Sequence, residues 1–119
     1  MLVKLTEADC RAAIRDGDFP PAIRGSAPLT VVCLTQSWCP QWTRMRPFLD
    51  ELSAEEGAAC FYVEYDREPF FDDFRDFKES KFRNDQVPYL RYYRDGTLQK
   101  ESNYADRSTF RKLALPVGG

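Results

Sequence analysis

Apolar and polar residues alternate along this chain in blocks of strand and helix length. Residues 2–5, LVKL, predict a short strand. Thr6 follows as an N-cap, with Asp9 three residues on in a capping-box arrangement, and Gly17 closes a helix over 7–16. Residues 17–28, GDFPPAIRGSAP, are rich in proline and glycine and read as loop. LTVVCLTQ (29–36) is apolar on both faces, the pattern of a central strand buried on both sides. From Pro40 to Glu56 a helix is expected, with Met45, Phe48, Leu49 and Leu52 on one face and Pro47 as an internal kink.

Gly57 ends that helix, and ACFYVEY (59–65) predicts the next strand. A third helix is expected over 68–82. Phe70, Phe74 and Phe77 line one side, with Phe71 nearby, and Asp and Arg fill the other. PYLRYYR (88–94), the turn Asp95-Gly96 and TLQKES (97–102) predict a β-hairpin. Asp106 caps a last helix to about Ala114, and the tail LPVGG (115–119) is expected to fray. The order βαβαβαββα predicts an α/β fold: a mixed central sheet flanked by helices, in one domain over 1–119.

Composition narrows the chemistry. Among 119 residues, 43% are hydrophobic, enough for a core without disulfides. The net charge of -2 gives no general attraction to nucleic acid or an anionic membrane, and neither is expected as a partner. No stretch reaches the ~18 apolar residues of a membrane span. Glu7 and Asp9 interrupt any export signal, so the expected location is cytoplasmic, where thiols stay reduced. The chain has no histidine, which removes His-based zinc sites, Ser-His-Asp triads and Cys-His pairs. Cys10, Cys33, Cys39 and Cys60 include no C-x-x-C pair, and no metal site is expected.

Cys39 stands out because WCPQW (38–42) falls where the second helix begins. Unpaired N–H groups and the helix dipole favour an anion there, and so the thiolate. Pro40 suits the first helical position because its missing N–H would be unpaired anyway.

VVCLTQSWCPQWTRMRPFLDEL (31–52), VEYD (63–66) and VPYLRYYRDG (87–96) together resemble the thioredoxin family, over roughly residues 2–114. Cys-Pro at this place and Val87-Pro88 also resemble the glutaredoxins. The resemblance implies that Cys39 is the nucleophile and Pro88 the cis-proline facing it. It also implies that the backbone of Val87 docks an extended substrate segment. Trp38 would pack the loop. Three departures accompany it: the second active-site cysteine falls on Trp42, the buried acid falls on Cys33, and the third helix looks longer.

Two readings of Trp42 stand side by side: an aromatic contact that shields Cys39 and meets a partner, or a filler of the space left by the missing sulfur. Cys33 reads as a core cysteine, with a cryptic resolving thiol as the alternative. Cys10 and Cys60 read as structural. Asp106 lies where glutaredoxins contact glutathione, but Ser102-Asn103 replaces the glycines, so the helix cap is the better reading. Arg44 and Arg46 read as solvated helix positions, or as charges near the thiolate.

The leading expectation is monothiol exchange at Cys39, through mixed disulfides with protein thiols or disulfides, in redox homeostasis. Trp38, Pro40, Trp42, Val87 and Pro88 would form the substrate surface. No bound cofactor is expected; glutathione or another low-molecular-weight thiol would be a co-substrate. The alternative is a redox-inactive binding module that uses the Trp-rich surface near the cis-proline. The sequence leaves open whether the chain is an enzyme.

Overall fold

The structure, a computed structural model, describes residues 1–115. The expectation for the tail therefore falls almost wholly outside the described residues. The strands are β1 (Leu2–Lys4), β2 (Leu29–Thr35), β3 (Ala58–Glu64), β4 (Tyr89–Arg94) and β5 (Thr97–Ser102). The helices are α1 (Glu7–Asp16), α2 (Pro21–Arg24), α3 (Pro40–Ser53), α4 (Phe71–Ser80) and α5 (Arg107–Ala114). The five strands form one mixed sheet in the order β1-β3-β2-β4-β5. β1 and β2 run parallel to β3, while β4 pairs antiparallel with β2 and with β5.

Every residue of β2 is buried. Val32 and Leu34 face a core shared with Ala13 of α1, Ile23 of α2 and Phe74 of α4. Val31 and Cys33 face the opposite core, with Met45 and Leu49 of α3 and Phe110 of α5. Alternation along one strand thus feeds two layers of helices.

Local chemistry sets the ends of these elements. Thr6 Oγ1 accepts the Asp9 N–H at 3.1 Å, and Asp9 Oδ2 accepts the Thr6 N–H at 3.2 Å. Gly17 ends α1 in the left-handed region, at φ 90°. Asp95 and Gly96, at φ 51° and 85°, make the β4–β5 turn that two-residue hairpins favour.

Three expectations need correction. The segment 17–28 is not all loop: Pro21 opens the one-turn helix α2, a position where its missing N–H costs nothing. The third helix starts later than residue 68 and ends earlier than 82. Tyr65–Arg67 form a 3-10 turn before it, and Arg83 beyond it turns left-handed at φ 56°. The helix after Cys39 stops at Ser53 rather than 56, because Ala54 and Glu55 bond back to Glu51 and Leu52 in the tighter i−3 pattern.

Candidate functional site

The buried strand β2 delivers the chain to the C-terminal edge of the sheet, and the loop 36–38 carries it over to α3. Ser37 fixes that loop. Its N–H donates to Asp66 Oδ1 at 2.7 Å, and its hydroxyl donates to Asp66 Oδ2 at 2.6 Å. The indole N–H of Trp38 donates to Gln36 Oε1 at 2.6 Å, and the Gln36 amide donates to the Tyr65 hydroxyl at 3.3 Å. Asp66 belongs to the VEYD segment, but no sequence signal linked it to Ser37, 29 positions away.

Cys39 is the N-cap of α3, in extended conformation (φ −75°, ψ 118°). Pro40 is the first helical residue, and the thiol makes no capping bond to the first turn. Sγ instead donates to the Val87 carbonyl at 3.6 Å. The Val87–Pro88 peptide bond is cis. Cys39 and Pro88 are buried, Val87 is half-buried, and Trp38 is 66% exposed. The fold therefore brings Trp38, Cys39, Pro40, Val87 and Pro88 to one place.

Trp42 is different. It is 2% exposed, and its indole N–H donates to Glu64 Oε2 at 2.8 Å. Its ring packs against Tyr62, with centroids 5.6 Å apart. Its place in an exposed Trp-rich surface is corrected: Trp42 is core, and only Trp38 presents an indole to solvent. The phase of α3 explains this. Trp42, Met45, Leu49 and Leu52 repeat at three and four and are all buried, so the apolar stripe begins at Trp42.

Arg46 is engaged by Tyr62, Trp42 and Glu64. The Arg46 guanidinium lies 4.5 Å from the Tyr62 ring centroid and 5.7 Å from that of Trp42, and 3.9 Å from Glu64 Oε2. Arg44 is exposed.

The other thiols are sealed. Burial pushes the Cys33 thiol well above its ordinary range, with Cys60 and Cys39 adding to the effect. Burial pushes Cys10 and Cys60 up to about 12. Such thiols hold their protons and attack poorly. Asp106 caps α5 by accepting the Thr109 N–H at 2.8 Å, and that bond lowers its carboxyl below the usual range. Among the described residues no group of three Cys, Asp or Glu is placed to hold a metal ion, and no helix is long and apolar enough to cross a membrane.

Lys78 is the residue that sequence reading missed. It is fully buried, one turn after Phe74 on the apolar face of α4. Its phase was the available signal: a lysine four positions after a core phenylalanine stands where an apolar side chain is due.

This sheet order, with a cysteine capping the helix after β2 and a cis-proline opposite, is the thioredoxin fold, and solved structures match it over nearly the whole chain. Thioredoxin O2 from Arabidopsis thaliana, in its oxidized state, superposes with a TM-score of 0.68 at 20% identity, covering 94% of this chain and 90% of its own. Trxlp from Edwardsiella tarda superposes at 0.65 with 19% identity, covering 98% and 100%. Oxidised thioredoxin from Plasmodium falciparum gives 0.66 at 16%, covering 96% and 95%. No protein-family model and no curated protein sequence matches the chain. At these identities the likeness defines the fold, and the chemistry has to come from this chain's own residues.

Proposed function

We propose that this protein performs monothiol exchange at Cys39. The observation that carries the reading is the meeting of Cys39 Sγ, at the N-terminus of α3, with the Val87 carbonyl beside the cis bond. In the first step the Cys39 thiol loses its proton to water, and the thiolate attacks one sulfur of a substrate disulfide. The Cys39–substrate bond forms, the substrate S–S bond breaks, and the other half departs as a thiolate. Cys33 shares a core with Cys39, but its burial keeps it protonated, and a core indole fills position 42, so the mixed disulfide has no reactive resolving thiol in this chain. A second thiolate, from glutathione, another low-molecular-weight thiol or a protein, attacks it. That step releases Cys39 and leaves a disulfide between substrate and the second thiol, so no electrons are lost. Val87 supplies the docking edge, with Trp38 and Pro40 beside it.

The test is to mix reduced protein with a peptide disulfide and map the adduct by mass. The expected result is a mixed disulfide at Cys39 that a small thiol reverses and Cys39→Ser abolishes. No adduct, or adducts that persist in Cys39→Ser, would overturn the reading.

The 4% exposure of Cys39 beside an indole 66% exposed favours a second reading, a binding module that holds partners at Trp38 and Val87. Partner binding that survives Cys39→Ser unchanged and is lost in Trp38→Ala would select it.

A further inference from the structure

The three ammonium protons of Lys78 all go to one short piece of chain. Nζ donates to the Asn84 carbonyl at 2.8 Å, the Gln86 carbonyl at 2.7 Å and Asn84 Oδ1 at 3.2 Å. Three donors are all that an ammonium has. Glu79 and Asp85 act on it through their fields alone, as does Cys33 of β2, and the Tyr89 ring centroid lies 5.5 Å away. An ammonium taken out of water without a counter-charge is unfavourable unless its donors are all met. What it holds in return is the turn that leads into Val87.

The bonding continues from there. Asn84 Oδ1 accepts the Gln86 N–H at 3.0 Å. The side chains of Asn84 and Asn103 exchange two amide bonds of 3.1 Å each, and Asn103 Nδ2 also donates to the Pro88 carbonyl at 3.1 Å. The carbonyls of 84, 86 and 88 are all occupied. Val87 is left with a carbonyl turned toward Cys39 and an N–H that has no partner among the described residues. An unpaired N–H beside a carbonyl held by a displaceable thiol is what an extended backbone can pair with.

We propose that Lys78 is a positioning residue for the docking edge, holding residues 84–86 so that the Val87 backbone receives an extended polypeptide segment that carries the substrate disulfide. The inference rests on the exchange reading at Cys39, and what it adds is the part Lys78 plays in holding that edge for a polypeptide disulfide.

The experiment compares the full chain with Lys78→Met, and with Asn103→Ala, which cuts the last link to Pro88 at a half-buried position. Each is reacted with a ten-residue peptide whose cysteine is joined to thionitrobenzoate, and with cysteamine joined to the same group. Release of the coloured thiolate gives both rates. The expected result is a fall on the order of tenfold for the peptide, with the small disulfide unchanged within about twofold. Equal falls for both probes mean a merely structural role and overturn the proposal, as does no fall for either. The Val87 amide signal in an NMR spectrum provides the second readout. If it is unmoved in Lys78→Met and in Asn103→Ala, the clamp does not exist, whatever Cys39 does. If wild-type protein reacts with neither probe, the exchange reading fails and the docking role with it. A Val87 signal that still moves would identify that failure as one of chemistry and not of the clamp.

Discussion

Cys39 and Val87 are 48 positions apart in the chain, and the fold sets the thiol of one against the carbonyl of the other at 3.6 Å. The bond ties the start of α3 to the chain entering β4, and Cys39 is 4% exposed. The Val87 side chain packs on the core that contains Cys39, and Val87→Ala removes two methyl groups there while leaving the backbone acceptor in place. Alkylation of Cys39 by iodoacetamide is expected to speed up on the order of threefold or more, because access limits a buried thiol. The rate of adduct formation, followed by mass, checks this; an unchanged rate would show that the Val87 side chain does not limit access.

The four thiols are expected to separate by reactivity. In native protein Cys39 alone titrates with an aromatic disulfide reagent, since burial keeps Cys10, Cys33 and Cys60 protonated. In denaturant all four react. Cys39→Ser should leave no thiol reactive in the native state. A second native thiol mapped to Cys33 would revive it as a resolving partner.

Trp42 is expected to matter to stability first. Trp42→Ala deletes a fully buried indole and is expected to cost about 3–5 kcal/mol. Trp42→Phe keeps most of the ring but removes the indole N–H from Glu64, which stays part exposed beside Arg46, and is expected to cost less, about 1–2 kcal/mol. Urea denaturation measures both. A Trp42→Ala variant as stable as wild type would contradict its place in the core.

Asp66 is expected to act on the site loop. Asp66→Ala removes both acceptors of Ser37 and is expected to cost about 1–3 kcal/mol in urea denaturation. Backbone amide exchange at 36–39 should rise with it. Protection at 36–39 equal to wild type would show that the loop is held by something else.

Lys78 should give a signature in pH. Burial lowers its ammonium from 10.5 to about 8, with Glu79 and Asp85 opposing the shift. Between pH 8 and 10.5 the unfolded chain therefore binds this proton more than the folded chain does. This group's contribution to unfolding free energy rises with pH across that window and is flat below it. From pH 7 to 9.5 wild type should gain about 1–2 kcal/mol relative to Lys78→Met. Cys10, Cys33 and Cys60 above about 9, and Tyr89, Tyr92 and Tyr93 above about 10, favour the unfolded state because burial pushes all of them upward, but they do so in both proteins and cancel in the difference. Parallel pH profiles for the two proteins would refute the assignment.

Much of this was legible in the chain because it is local. The capping box of Thr6 and Asp9, the Asp95-Gly96 turn, the all-apolar run of β2 and the cap position of Cys39 each depend on residues within a few positions. Backbone sterics and hydrophobic periodicity decide such features before any distant contact forms. Trp42 and Lys78 lay within reach of the same reasoning, since each stands in phase with an apolar stripe; the sequence reading takes Trp42 instead from its place at the second cysteine, and passes over Lys78.

What the tertiary structure alone decided is which distant groups meet. Ser37 finds Asp66, Cys39 finds Val87, and Asn103 finds Pro88, across separations of 29, 48 and 15 positions. Periodicity says which face a side chain takes, but it carries no information on the partner waiting there. That partner is set by strand order and by the packing of α3 and α4 on opposite faces of the sheet. The sequence by itself determined a helix-capping cysteine in a thioredoxin-like frame. Folding determined that its sulfur lies under Val87, and that a buried ammonium holds the turn leading to it.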